Sequence, residues 1–186
     1  GTISGSSSVM QLDAWNWEDA LINTDEGIHL NWPSPYSRGR WWLGEDSALK
    51  ENKNYSKSIE TIKNFFDEAK IYSNQTPKHL PYSSMKGIFD GSKTIYLHAS
   101  YEKQIIDGVS FLKDLNLKKI VLVNAEESLN IIEFIKKNNI PIIISRPHRL
   151  PDSEDQDPKL TFKLASKLIN SGILVSIDTS GQMERM

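Results

Sequence analysis

The chain has 186 residues, 38% of them hydrophobic and 25% charged, enough for one globular domain or a large piece of a bigger one. Lys and Arg total 22 against 24 Asp and Glu, and a formal net charge of −2 leaves no electrostatic footprint for nucleic acid or an anionic membrane. No apolar run approaches the roughly 20 residues of a bilayer span. Cysteine is absent, which excludes disulfides, thiolate catalysis and cysteine-type zinc sites but leaves the redox compartment open.

The opening stretch Gly1–Val9 has no basic n-region and no apolar h-region, so it does not read as a signal peptide. All five tryptophans, at 15, 17, 32, 41 and 42, fall among Gly, Ser and Pro with no helical or strand period. Residues 1–44 are therefore expected to be loop-rich, with most of the tryptophans in the core, unless the tryptophan-rich first 42 residues form an association surface. One short extended segment, Gly27–Trp32, reads as a strand end stopped by Pro33 and Pro35.

Residues 45–186 carry the regular pattern. Between Glu45 and Ser73, Ile59, Ile62, Phe65, Phe66, Ala69 and Tyr72 recur every three or four positions, predicting an amphipathic helix. Pro77 and Pro81 end it, and a short helix over 82–89 precedes the turn Asp90-Gly91. Then come strand 94–99, helix 101–115, strand 119–124, helix 126–138, strand 140–145, a helix near 158–171 and strand 173–178. This β-α alternation predicts a parallel sheet whose uniformly apolar strands are covered on both faces, either doubly wound or part of a (β/α)₈ barrel.

In such folds the side chains just past the carboxyl ends of the strands form the site. His98 ends the strand 94–99, where an imidazole can bind a divalent metal or move a proton, or can simply be a hydrogen-bonded core residue. Asn124 can hydrogen-bond a substrate or close the turn into the next helix. Arg146 and His148, held apart from helix by Pro147, make a candidate anion or carboxylate clamp, unless Arg146 pairs with the acidic run Asp152, Glu154, Asp155 and Asp157. Asp178 ends the last strand and is a candidate base or metal ligand, or a helix cap. The sequence contains no P-loop, Rossmann fingerprint or His-Glu-x-x-His motif.

Taken together, the segments GTISGSSSVMQLDAWNW (1–17), HLNWP (29–33), IYLHA (95–99), VLVN (121–124), PIIISRPHRLP (141–151) and GILVSIDTSG (172–181) resemble the amidohydrolase superfamily, in its bacterial imidazolonepropionase-like branch. The resemblance implies a TIM-like (β/α)₈ barrel beside a small β-sandwich, with one or two divalent metals, zinc foremost, activating water to hydrolyse a C–N bond in a cyclic amide or peptide-like substrate. In that pattern a His-x-His pair ends the first strand, Lys or Glu the fourth, histidines the fifth and sixth, and Asp the eighth. His98 matches the fifth-strand histidine. Asn124 replaces the sixth, and Ser180 falls where the eighth-strand Asp belongs, with Asp178 two residues earlier.

The resemblance further implies that these residues are an internal piece of a longer hydrolase, lacking the first-strand pair. Such a piece is expected to be inactive and to hold no metal tightly. Its open sheet edges favour self-association. Two alternatives stand beside this reading: a degenerate homologue, and a non-catalytic α/β domain that binds a small polar ligand. The compartment, cytoplasmic or exported, is not encoded in these residues.

Overall fold

The computed structural model describes residues 1–46, 48–72, 79–145 and 157–178. The chain opens with two strands, β1 (Ile3–Met10) and β2 (Leu21–Asn31), joined through the short helix α1 (Trp17–Ala20). A small two-stranded sheet, β3 (Tyr36–Arg38) with β4 (Leu49–Glu51), leads to the helices α2 (Tyr55–Ile71) and α3 (Leu80–Asp90). The remaining elements alternate: β5 (Thr94–Ala99), α4 (Glu102–Asp114), β6 (Ile120–Asn124), α5 (Ile132–Lys137), β7 (Ile142–Ser145), α6 (Leu160–Asn170) and β8 (Val175–Asp178).

The main sheet has six strands in the order β1-β2-β5-β6-β7-β8. From β2 to β8 every neighbour is parallel, and β1 alone is antiparallel. The sheet is curled, as in part of a TIM-like barrel.

From residue 94 onward the predicted elements appear within about two residues of their expected limits, except the helix over 126–138. That stretch forms a 3-10 turn at Ser128–Ile131 followed by the six-residue α5. The helix predicted between 45 and 73 is real but begins only at Tyr55, after β4. It buries Ile62, Phe66 and Ala69, one apolar stripe of the expected kind. The opening residues depart most from expectation, because β1 and the first half of β2 form a long ribbon where loop was predicted.

The expectation of two covered faces is also corrected. Along the strands a fully buried file (Ile28, Leu30, Ile95, Leu97, Leu122, Ile142, Ile144) joins the helix residues Phe66, Met85, Ile105, Val109, Ile135 and Leu168 in one core. The alternate file (His29, Tyr96, His98, Val121, Ile143, Ser145, Asp178) is only half-buried, apart from Gly27, Thr94 and Val123. Side chains of a strand alternate between faces. The helices therefore cover the outer face, while the inner face carries most of the polar groups, as in a barrel.

Candidate functional site

The inner face is built by register. On β2 and β5, Gly27 pairs with Thr94, His29 with Tyr96 and Asn31 with His98. His98 in turn pairs with Val123 on β6, and Ser145 on β7 with Asp178 on β8. Because β2 and β5 to β8 run parallel, His29, Asn31, His98, Val123, Ser145 and Asp178 lie toward the carboxyl ends of their strands, where barrel enzymes place their sites, whereas Gly27 and Thr94 stand at the amino-terminal start of their ladder.

At the centre stand two imidazoles. His29 Nδ1 lies 2.9 Å from His98 Nε2, so one ring donates and the other accepts. Tyr96 stacks on His29 with centroids 4.9 Å apart and planes 13° apart. The Tyr96 hydroxyl donates to Glu26 Oε2 at 2.9 Å, and Thr94 Oγ1 donates to the other oxygen at 2.5 Å. Both carboxylate oxygens are thus engaged, and Glu26 fixes the tyrosine that fixes His29.

Burial lowers the pKa of His29, opposed by the charge of Glu26. It lowers that of His98 as well, reinforced by His29 and opposed by Asp178. The pair is accordingly neutral at pH 7, the form that ligates metals and accepts protons. Tyr96 is pushed up to about 12 by burial and by its bond to Glu26, so it stays a phenol.

Asp178 is three strands from His98 in the sheet order, yet its charge reaches that imidazole. Its Oδ2 accepts a bond from Ser145 Oγ at 3.0 Å. Asn124 has φ of 77° and Ala125 has φ of 53°, two consecutive non-glycine residues in the left-handed region, a conformation that clusters at functional sites. Here the backbone turns by itself. Helical structure resumes only at Ser128, with Glu127 in the preceding position, so Asn124 does not cap it. Arg146, His148 and Ser180 lie outside the described residues, as does the acidic run up to Asp155. Asp157 is described and pairs with Lys163 at 3.1 Å.

The structure therefore brings His98 together with His29, a residue that sequence reasoning passed over. The available signal was the segment Gly27–Trp32 itself, an apolar strand end with a histidine on alternate parity to Ile28 and Leu30. Among the described residues no group of three or more His, Asp or Glu side chains comes together to hold a metal ion. Two imidazoles alone do not satisfy a zinc-type ion, which takes three or more protein ligands.

No protein-family model and no curated protein matches the chain. A solved amidohydrolase from Thermotoga maritima MSB8 is similar in structure, with a TM-score of 0.72 at 12% sequence identity over 98% of this chain and 49% of that one. The chain has an amidohydrolase-like fold, and it spans about half the length of that neighbour.

Proposed function

We propose that the inner face serves metal-dependent hydrolysis of a C–N bond, in a cyclic amide or peptide-like substrate, in an imidazolonepropionase-like hydrolase. The observation that carries this reading is the neutral pair His29–His98 at the carboxyl ends of adjacent parallel strands. His98 takes the role of a metal ligand and Asp178 that of a base. Asn124, Arg146 and His148 contact the substrate.

The donor set departs from the family pattern in an instructive way. With His98 on the fifth strand, β2 occupies the place of the fourth, where Lys or Glu is expected, and it ends instead in His29-Leu30-Asn31. The described residues fall short of a complete metal site. In this reading hydrolysis draws on donors beyond them, and we propose that the 186-residue chain alone is inactive.

Titration of the chain with zinc in a calorimeter tests it. No tight stoichiometric binding is expected. A submicromolar site lost in His98→Ala, or turnover of simple cyclic amides or dipeptides by the chain alone, overturns the assigned inactivity. The half-buried polar inner face supports one second reading, a domain that binds a small polar ligand without chemistry. Ligand-dependent shifts of the His29 and His98 resonances in metal-free protein that added zinc leaves unchanged would select that reading.

A further inference from the structure

The β1–β2 ribbon continues past the sheet. β2 starts at Leu21, but its ladder with β5 starts only at Gly27, so about six residues, or ~20 Å, extend beyond the amino-terminal end of the parallel strands. The tip is ordered: Asn16 accepts a bond from Asp19 N at 2.8 Å, and Gln11 N donates to Ala20 O at 2.9 Å. What the tip presents is apolar. Trp15 is 96% exposed and Trp17 66%, with Leu12, Ile22 and Met10 exposed beside them. Most of the tryptophans were expected in the core, yet only Trp32 is buried among those whose side chains are described. An ordered apolar cluster of this kind marks an interaction surface.

Its charge narrows the partner. Asp13, Glu18 and Asp19 stand among these side chains, and the chain has no lysine or arginine before Arg38. An anionic lipid surface is repelled, and an apolar groove edged with cations is the complement. Such a groove lies on this chain, also at the amino-terminal end of the sheet. It encloses about 320 Å³ between Ile135, Ile140, Pro141, Ile173 and Leu174, with one cation, Lys136, in its lining, an exposed side chain that also lies 3.7 Å from the exposed Glu133. Lys137 ends the same helix, and Lys118 and Lys119 enter β6 at that end.

Ribbon and groove share one end of the sheet but stand at opposite sides, β2 against β7 and β8, with β5 and β6 between them. A two-fold axis normal to the sheet exchanges those sides. Each ribbon then reaches the groove of the other copy, and both contacts form at once, which closes the assembly as a dimer. We propose that the chain forms this arm-exchange dimer, with Trp15 and Trp17 of each copy seated against the Ile135–Leu174 groove of the other and Asp13, Glu18 and Asp19 facing its lysines. This proposal is independent of the chemistry of the inner face.

Sedimentation equilibrium of the intact chain between about 1 and 200 μM tests it. A discrete monomer–dimer equilibrium that weakens with added salt is expected, because the charged contacts are opposite in sign. Trp15→Ser with Trp17→Ser should raise the dissociation constant by about tenfold or more, as anchor residues do. Lys136→Glu with Lys137→Glu should act in the same direction, and adding Asp13→Lys with Glu18→Lys should restore association. All these side chains are on the surface, so an unchanged circular dichroism spectrum separates lost association from lost folding. A monomer at every concentration overturns the proposal. So does a dimer indifferent to the tryptophans, which would point to the open strand edges, one that strengthens with salt, or uptake of the monomer by phosphatidylcholine vesicles.

Discussion

His29 and His98 face each other at 2.9 Å across neighbouring parallel strands, Nδ1 to Nε2. Each ring meets the other's lone pair or proton, and burial denies the charged form of either one the solvation it would have in water. The contact makes the inner face a place that holds one proton shared between two neutral rings comfortably and a positive charge on either ring poorly.

This dictates how stability depends on pH. Both histidines have folded pKa values below the ordinary imidazole value of about 6.5, through burial first, so the unfolded chain takes up protons before the folded one does. Stability then rises with pH through this window. It is full above about pH 7 and is lost as pH falls from 6.5 toward the folded values. The carboxylates with lowered pKa, such as Asp25, which is held down by Lys93, respond only around and below 3.8, so the two windows separate. In metal-free protein the urea midpoint should fall between pH 7.5 and 5.5, and His98→Asn should flatten that fall. A flat wild-type profile, or an NMR-measured pKa above 6.5 for both rings, would contradict it.

Gly27 is the point where the site depends on a missing side chain. A Cβ there would sit 2.2 Å from Tyr96 Cε2 and 2.7 Å from Cδ2, closer than any real contact. The aromatic ring lies across the glycine, stacked on His29 and bonded to Glu26. Gly27→Ala should displace the tyrosine, cost about 1–3 kcal/mol as overpacking does, and shift the His29 titration with it. Equal midpoints in a urea melt together with an unmoved His29 resonance would show that the ring has room to spare.

Behind the sheet, Tyr55 joins three elements. Its hydroxyl donates to Asp107 Oδ2 at 2.7 Å and accepts from Trp32 Nε1 at 3.2 Å, so α2, α4 and the residue after β2 are tied at one oxygen. Burial and the Asp107 bond push the phenol well above its ordinary pKa. Tyr55→Phe leaves the buried indole without an acceptor, and about 1–3 kcal/mol should be lost. Trp32→Phe in the same background should then cost less than it does alone, the signature of a shared bond. Additive losses in the chemical-denaturation series would refute the link.

The sequence reveals elements wherever local pattern and tertiary role agree, and hides them where they diverge. Leu97 and Ile95 belong to an apolar run that can only be an inner strand, and Ile105, Val109 and Leu112 mark a helix stripe. Ser4, Ser6 and Ser8 announce nothing, because β1 exists only through pairing with β2, and its register shifts at three places. His98 is legible because it ends a clean strand. His29 is not, because its partner lies 69 residues away and no local rule connects them. Trp15 and Trp17 mislead for a related reason: hydrophobicity argues for the core, whereas their place on a projecting ribbon exposes them.

The one-sided cover of the sheet makes a last prediction. Leu97 is fully buried beneath α4, close to Gly108, whereas Val121, on the next strand, points to the half-buried inner face. Leu97→Ala should open a cavity that the helices cannot collapse to fill, costing about 2–5 kcal/mol. Val121→Ala removes methyl groups from a partly hydrated face, where less transfer energy is at stake and water can enter, so its cost should stay near or below about 1 kcal/mol. Guanidinium melts of the two variants measure the difference. Comparable losses would mean that the inner face is packed as tightly as the outer one, as in a sheet covered on both sides, and the polar face described above would then be no open site at all.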